Sequence, residues 1–207
     1  MNRYARILNT LCAAVLFIAL APAASAVKLM KDVTLDWKPT KSVSESPIDV
    51  TALRGKKILV NVFTDARDNK RLIAENREEE DEGTLLPLTT STDIPAWVGN
   101  HLADQLQQIG LTTVTVVGDA DFVLDGTVEK FFVLETDNYR AAVSVHLKLT
   151  DKSGAVVWDT TLTANESRFG RSYKLENYAE VLSDAVVSLA RAIANSPDFR
   201  SALNGRI

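Results

Sequence analysis

Apolar residues recur along this chain with two periods, and the switch between them marks out the elements. In "DIPAWVGNHLADQLQQIG" the residues Ile94, Trp97, Val98, Leu102, Leu106 and Ile109 return at helical spacing. Ser91 or Asp93 can cap this helix, Pro95 suits its first turn, and Gly110 stops it. The stretch "ENYAEVLSDAVVSLARAIANS" predicts a second amphipathic helix of about five turns. Tyr178, Val181, Leu182, Ala185, Val186, Leu189 and Ile193 supply its apolar side. Ser196-Pro197-Asp198 then begins a short last turn or helix that ends near Leu203.

Elsewhere the period is two. "DVTLDW" alternates Val33, Leu35 and Trp37 on one face and predicts a strand near the start. "KKILVNVF" has Ile58, Val60 and Val62 on one face and Leu59 and Phe63 on the other, as an inner strand covered on both sides would. "TTVTVV" reads as a short strand, and "ADFVLDGTVEKFFVLE" is long enough for one bent strand or two. "YRAAVSVHLKLTD", the turn Asp151 to Gly154 and "AVVWDTTLTAN" form a meander with a hairpin. The expected fold class is α+β: a mostly antiparallel β-sheet with a C-terminal meander and two amphipathic helices packed on it.

The first residues follow other rules. Arg3 and Arg6 precede a mostly apolar run from Ile7 to Leu20, and Ala24-Ser25-Ala26 supplies small residues for cleavage. This pattern predicts a secretory signal peptide over 1–26, cut before Val27, and a single α+β domain over 27–207. The chain's one cysteine, Cys12, falls inside that leader behind Leu11, where lipoprotein processing needs a small residue. The exported domain is therefore expected to hold no disulfide and no thiol nucleophile. The whole chain carries a formal charge of −4, and the leader holds basic residues but no acidic ones, so the domain is more acidic still. That balance excludes a general nucleic-acid or anionic-lipid surface binder.

One arrangement of motifs resembles a known family. Val60, Val62, Asp65 and Arg67 make a leading V-x-V-x-x-D-x-R stretch, and Leu106 and Gly110 close the first helix. Ala120, Asp121, Leu124, Gly126 and Val128 follow on a strand, and Asp198 and Leu203 end the last helix. This order, from about Val33 to Leu203, is similar to that of the YajG-like lipoproteins of Gram-negative envelopes. Two features depart from them: no convincing lipobox surrounds Cys12, and Ile73-Ala74 stands where those proteins have Ile-Gly. The resemblance implies a periplasmic location, with outer-membrane association, and an accessory role rather than a reaction.

The conspicuous polar residues crowd into "FTDARDNKRLIAENREEEDEGTLLPL", read as a long charged loop at about 64–92. Arg77, Glu78, Glu79, Glu80, Asp81 and Glu82 are its candidate recognition residues, because a run of like charges prefers water. Asp65 and Arg67 leave a strand two residues apart, on one side, and are expected to pair and fix the loop's exit. Neither histidine belongs to a catalytic signature: His101 lies at the edge of a helix's apolar arc, and His146 shares a strand face with Ser144 and Lys148. Asp119, Asp121 and Asp125 lack calcium-loop spacing, since Val123 and Leu124 stand where an oxygen ligand and a glycine are needed.

No catalytic residue, metal or cofactor is therefore assigned. The expected function is that of a non-enzymatic envelope accessory protein acting by protein–protein contact. A lipid or glycolipid binder is the alternative, with Trp97, Phe131, Phe132 and Trp158 lining an apolar groove; a hydrolase using His101 or His146 is the third reading. The partner is expected to be an envelope protein or lipid, with a homodimer formed through an open strand edge such as Val33 to Trp37.

Overall fold

In the computed structural model, residues 29–45, 48–77, 85–170 and 172–205 are described. The expected signal peptide, Cys12 and the acidic run Glu78 to Glu82 lie outside them. Three strands of equal length form the frame: β6 (Phe122–Glu135), β7 (Asn138–Asp151) and β8 (Val156–Phe169). Each pairs antiparallel with the next, so the predicted meander is present as one continuous ladder. The turn at Asp151 closes through its own side chain, which accepts from the backbone N–H of Ser153 at 2.8 Å, and Gly154 takes a positive φ of 85°.

The far side of β6 is shared by short parallel strands: β1 (Lys57–Val60), β2 (Thr64–Asp65) and β3 (Leu72–Arg77). Beyond them lie β4 (Leu85–Thr89), antiparallel to β3, and β5 (Thr112–Thr113), parallel to β1. The sheet thus has eight strands and is mixed, its antiparallel part being the longer. Helices α1 (Ile94–Gln108), α2 (Leu175–Asn195) and the short α3 (Pro197–Leu203) pack with it, giving the expected α+β domain. Asp93 caps α1 by accepting from the Ala96 N–H at 3.1 Å, and Ser196 caps α3 through Phe199.

Four sequence expectations change. The run at 64–92 is no single loop: β2, β3 and β4 occupy much of it, because β6 offers an open ladder and Ile73, Ala74 and Leu88 can be buried against the core. Arg77 is the exposed last residue of β3. Val33 to Trp37 is no free strand edge. Val33 makes one bridge to Thr90, and the backbones of Met30, Val33, Thr89 and Ser91 bond one another at 2.9–3.1 Å. Leu35 is buried there, so the segment serves as a cover rather than a template. β1 ends at Val60, leaving Val62 79% exposed, and only Thr112 and Thr113 of "TTVTVV" form a strand before a 3-10 turn over Val117–Asp119.

One irregularity in β6 sets the two faces of the sheet. Its register against β7 shifts between Val128 and Lys130, so Glu129 is an extra residue. Before the bulge Leu124, Gly126 and Val128 point to the core; after it Phe131, Val133 and Glu135 do. β7 adds Tyr139, Val143, Val145, Leu147 and Leu149 to the same face. α2 lies across this face and is buried nearly all round, including Ser183 and Asp184. Those two polar side chains hold the covering segment: Ser183 Oγ accepts from the Lys38 N–H at 2.9 Å, and Asp184 Oδ1 from Thr40 at 2.7 Å.

Candidate functional site

Asp65 and Arg67 meet at the end of β2. Arg67 Nε and Nη2 donate to the two carboxylate oxygens of Asp65 at 3.0 and 2.8 Å, a bidentate pair. The same guanidinium donates to the carbonyl of Lys70 at 2.7 Å and lies 5.9 Å from the Phe131 ring centre. Burial pushes the Asp65 carboxyl up, but its bonds to Arg67 outweigh that and hold it below the usual range. The pair closes the turn between β2 and β3 on itself.

His101 lies in an aromatic cluster. Trp37 stacks on its ring at 4.1 Å, and Trp97 meets both edge-on. Burial depresses the affinity of His101 for a proton, and Asp104, 3.8 Å from Nδ1, opposes that only in part. The four aromatics of the expected groove do not converge. Trp97, Phe131 and Trp158 are buried in the core, with Trp97 against Phe131 and Trp158 against Phe199. Phe132 is on the opposite face of the sheet, because neighbouring residues of a strand alternate and the bulge at Glu129 makes Phe131 the one that faces the core.

A buried carboxylate that the sequence reading did not single out is Glu135, which is 0% exposed. It accepts from the backbone N–H of Ser172 at 2.8 Å and of Tyr173 at 2.9 Å, and from the hydroxyl of Tyr178. Burial pushes its carboxyl up, yet bonds from Asn76, Tyr178 and these two N–H groups outweigh that and hold it below the usual range. The same burial, with Glu135 alongside, pushes the Tyr178 hydroxyl far up, so it stays protonated and donates. Tyr139, Ser172 and Asn177 extend the network at 2.8–3.1 Å. Its geometry fastens the chain just before α2, where Tyr173 has a positive φ of 44°. The signal in the sequence was parity: Glu135 follows Phe131 and Val133 at period two.

The other face of β6, β7 and β8 carries the remaining polar candidates. Register places Lys130, Ser144 and Thr163 in one row, Thr127, His146 and Thr161 in the next, then Asp125, Lys148 and Asp159. His146 Nε2 pairs with Asp159 Oδ1 at 2.7 Å. Ser144 Oγ instead accepts from Thr163 at 3.0 Å and donates to Glu129 at 3.4 Å, so serine and histidine belong to separate bonds. Asp121 and Asp125 also diverge, to Lys152 at 2.8 Å and Asn61 at 2.7 Å. Among the described residues, no three His, Cys, Asp or Glu side chains gather as metal ligands, and no helix is long and apolar enough to cross a membrane.

At one end this face turns apolar. Phe132, Leu134 and Ala142 lie in adjacent rows, flanked by Lys130, Arg140, Asn165 and Ser167, around a shallow depression of about 450 Å³. A half-buried phenylalanine and leucine, rimmed by polar and basic groups, have the anatomy of a contact surface.

No family model matches this chain, and no curated protein does. Among solved structures it is similar to a Xanthomonas campestris protein of family DUF330, at 15% identity over 86% of this chain and 99% of that one, with a TM-score of 0.54. It is similar as well to PelC of Paraburkholderia phytofirmans, solved as a dodecamer, at 22% identity over 66% of this chain and 86% of that one, with a TM-score of 0.41. A lipoprotein of Neisseria meningitidis is matched at 15% identity over 68% of this chain and 99% of that one, with a TM-score of 0.39. The Xanthomonas protein, spanned almost from end to end, shares the fold of this chain.

Proposed function

We propose that this chain is an exported, non-enzymatic accessory protein of the cell envelope that holds another envelope protein on the open face of its meander. The observation that carries this reading is the face itself, with Phe132, Leu134 and Ala142 left beside a basic and polar rim. The basic, apolar and small-residue succession at the N-terminus supports export, and the resemblance to YajG-like lipoproteins supports a periplasmic or outer-membrane-associated location. Nothing favours the lipid reading over it, because the aromatics named for a groove are divided between the core and the far face. His146 is bonded to Asp159 and Ser144 to Thr163 and Glu129, so the serine–histidine pair that the hydrolase reading would use is not formed.

The test is a photo-reactive side chain placed at position 132 in growing cells. The expected product is one discrete protein adduct, which Arg140→Glu diminishes and a probe at exposed Val62 does not form. Native mass spectrometry of the protein taken gently from the envelope supplies the opposing outcome. A lipid retained through detergent exchange, with no protein adduct at position 132, would overturn the proposal in favour of the carrier.

A further inference from the structure

The sheet's edges are protected unequally. β4 carries Pro87, and at its end the backbone of Thr89 bonds to Met30 and Val33. β5 is only two residues long. β8 is fourteen residues long, has no proline, and pairs along its inner side with β7. Among the described residues, no backbone hydrogen bond reaches its outer side. Edge strands are usually guarded by free charges, bulges or covering segments. Here the three charges on the strand are already engaged within the molecule: Asp159 with His146, Glu166 with Lys41, and Arg168 with Glu180.

Two of the few large apolar side chains left exposed belong to the ends of this same strand, Val156 at 51% and Phe169 at 89%. The register shift near Thr150 sets Val156 opposite that residue, on the open face, where Phe169 also lies opposite Asn138. An antiparallel partner running the full length of β8, with apolar groups at its own two ends, would cover both. The strand itself meets that description.

We propose that β8 pairs with β8 of a second copy of this chain, antiparallel about a two-fold axis, joining two meanders into one six-stranded antiparallel sheet. Residues directly opposite in such a ladder share a face, so the register must pair even with even and odd with odd. Setting Thr163 against its own copy pairs nearly the whole strand and brings Phe169 to the Val156–Val157 end of the partner. In that register Trp158 faces Arg168, Leu162 faces Ala164, and Asp159 faces Ser167, with no like charges opposed. The interface is isologous and closes as a dimer. It uses an edge rather than the open face, and stands or falls independently of the function proposed above.

The test uses the protein purified from the envelope with Cys12→Ser as background. Opposed residues in an antiparallel pair have Cα atoms roughly 4.5–5.5 Å apart, within the range of a disulfide. Thr163→Cys is therefore expected to form a disulfide dimer under mild oxidation, while Thr127→Cys, on the open face away from the edge, does not. Sedimentation should show a dimer, and Thr163→Lys should weaken self-association about tenfold by opposing two like charges. A chain that sediments as a monomer at every concentration overturns the proposal and leaves the edge to a strand of another protein. A dimer indifferent to Thr163→Lys, with Thr163→Cys uncrosslinked, overturns the edge as its interface. Should the lysine variant fail to fold by circular dichroism, the cysteine pair still decides.

Discussion

On one face of the meander, Leu124, Val128, Val145, Leu147 and Leu149 lie buried under α1 and α2, and the polar group admitted there, Glu135, has all its bonds filled. On the other, Ser144 with Thr163 and His146 with Asp159 bond side chain to side chain across strands. The same three backbones carry both. What separates the faces is the consequence of an error: a misfit on the covered face costs folding, while a change on the open face is absorbed by water. Stability is therefore carried by one side of the sheet, and the proposed contact surface lies on the other.

The contrast can be broken most severely at Leu147, fully buried between β6, β8 and α2. Leu147→Ala is expected to cost about 3 kcal/mol, measured by urea unfolding, because the packed face cannot collapse around the missing volume. Gly126→Ala comes next. A Cβ there would meet the Phe63 ring at 2.5 Å, so the ring, itself packed against Gly99, must shift. About 2 kcal/mol of destabilisation is expected from such overpacking.

Glu135 sharpens the comparison through pH. Its folded-state pKa lies below the ordinary 4.5, so its stabilising contribution is fully present above that value and is lost as pH falls through the folded pKa. The protein should weaken in acid below about pH 4.5, and Glu135→Gln should flatten that part of the stability profile while lowering stability at pH 7. A profile unchanged by the substitution would show that the carboxylate does not anchor the start of α2. Smallest of all should be His146→Ala on the open face. Its bond to Asp159 is exposed, and its loss is expected to change stability by less than about 1 kcal/mol.

Several elements were legible before any tertiary information. α1, α2 and the Asp151–Gly154 hairpin follow from spacing and turn chemistry because those signals reside within a few residues of one another, while the choice of Asp93 over Ser91 as the cap of α1 came from the structure. The ion pair of Asp65 and Arg67 was readable for the same reason, being two residues apart on one extended segment. The strands inside the charged run were not. "LIAENR" has too little alternation to announce β3, which exists because β6 and β4 complete its hydrogen bonds. The aromatics named for a groove are divided instead: Trp97, Phe131 and Trp158 are in the core, and "FF" offers no sign of which phenylalanine turns inward, which the bulge at Glu129 decides.

By itself, then, the sequence determined the local periods: where helices start and stop, and where the hairpin turns. The tertiary structure alone decided which strands become neighbours, which face of β6 a residue meets after the bulge, and which edge remains open. The physical reason is range. A helix or a tight turn satisfies its backbone within a few residues, whereas a strand takes its partner, its register and its burial from segments far away in the chain.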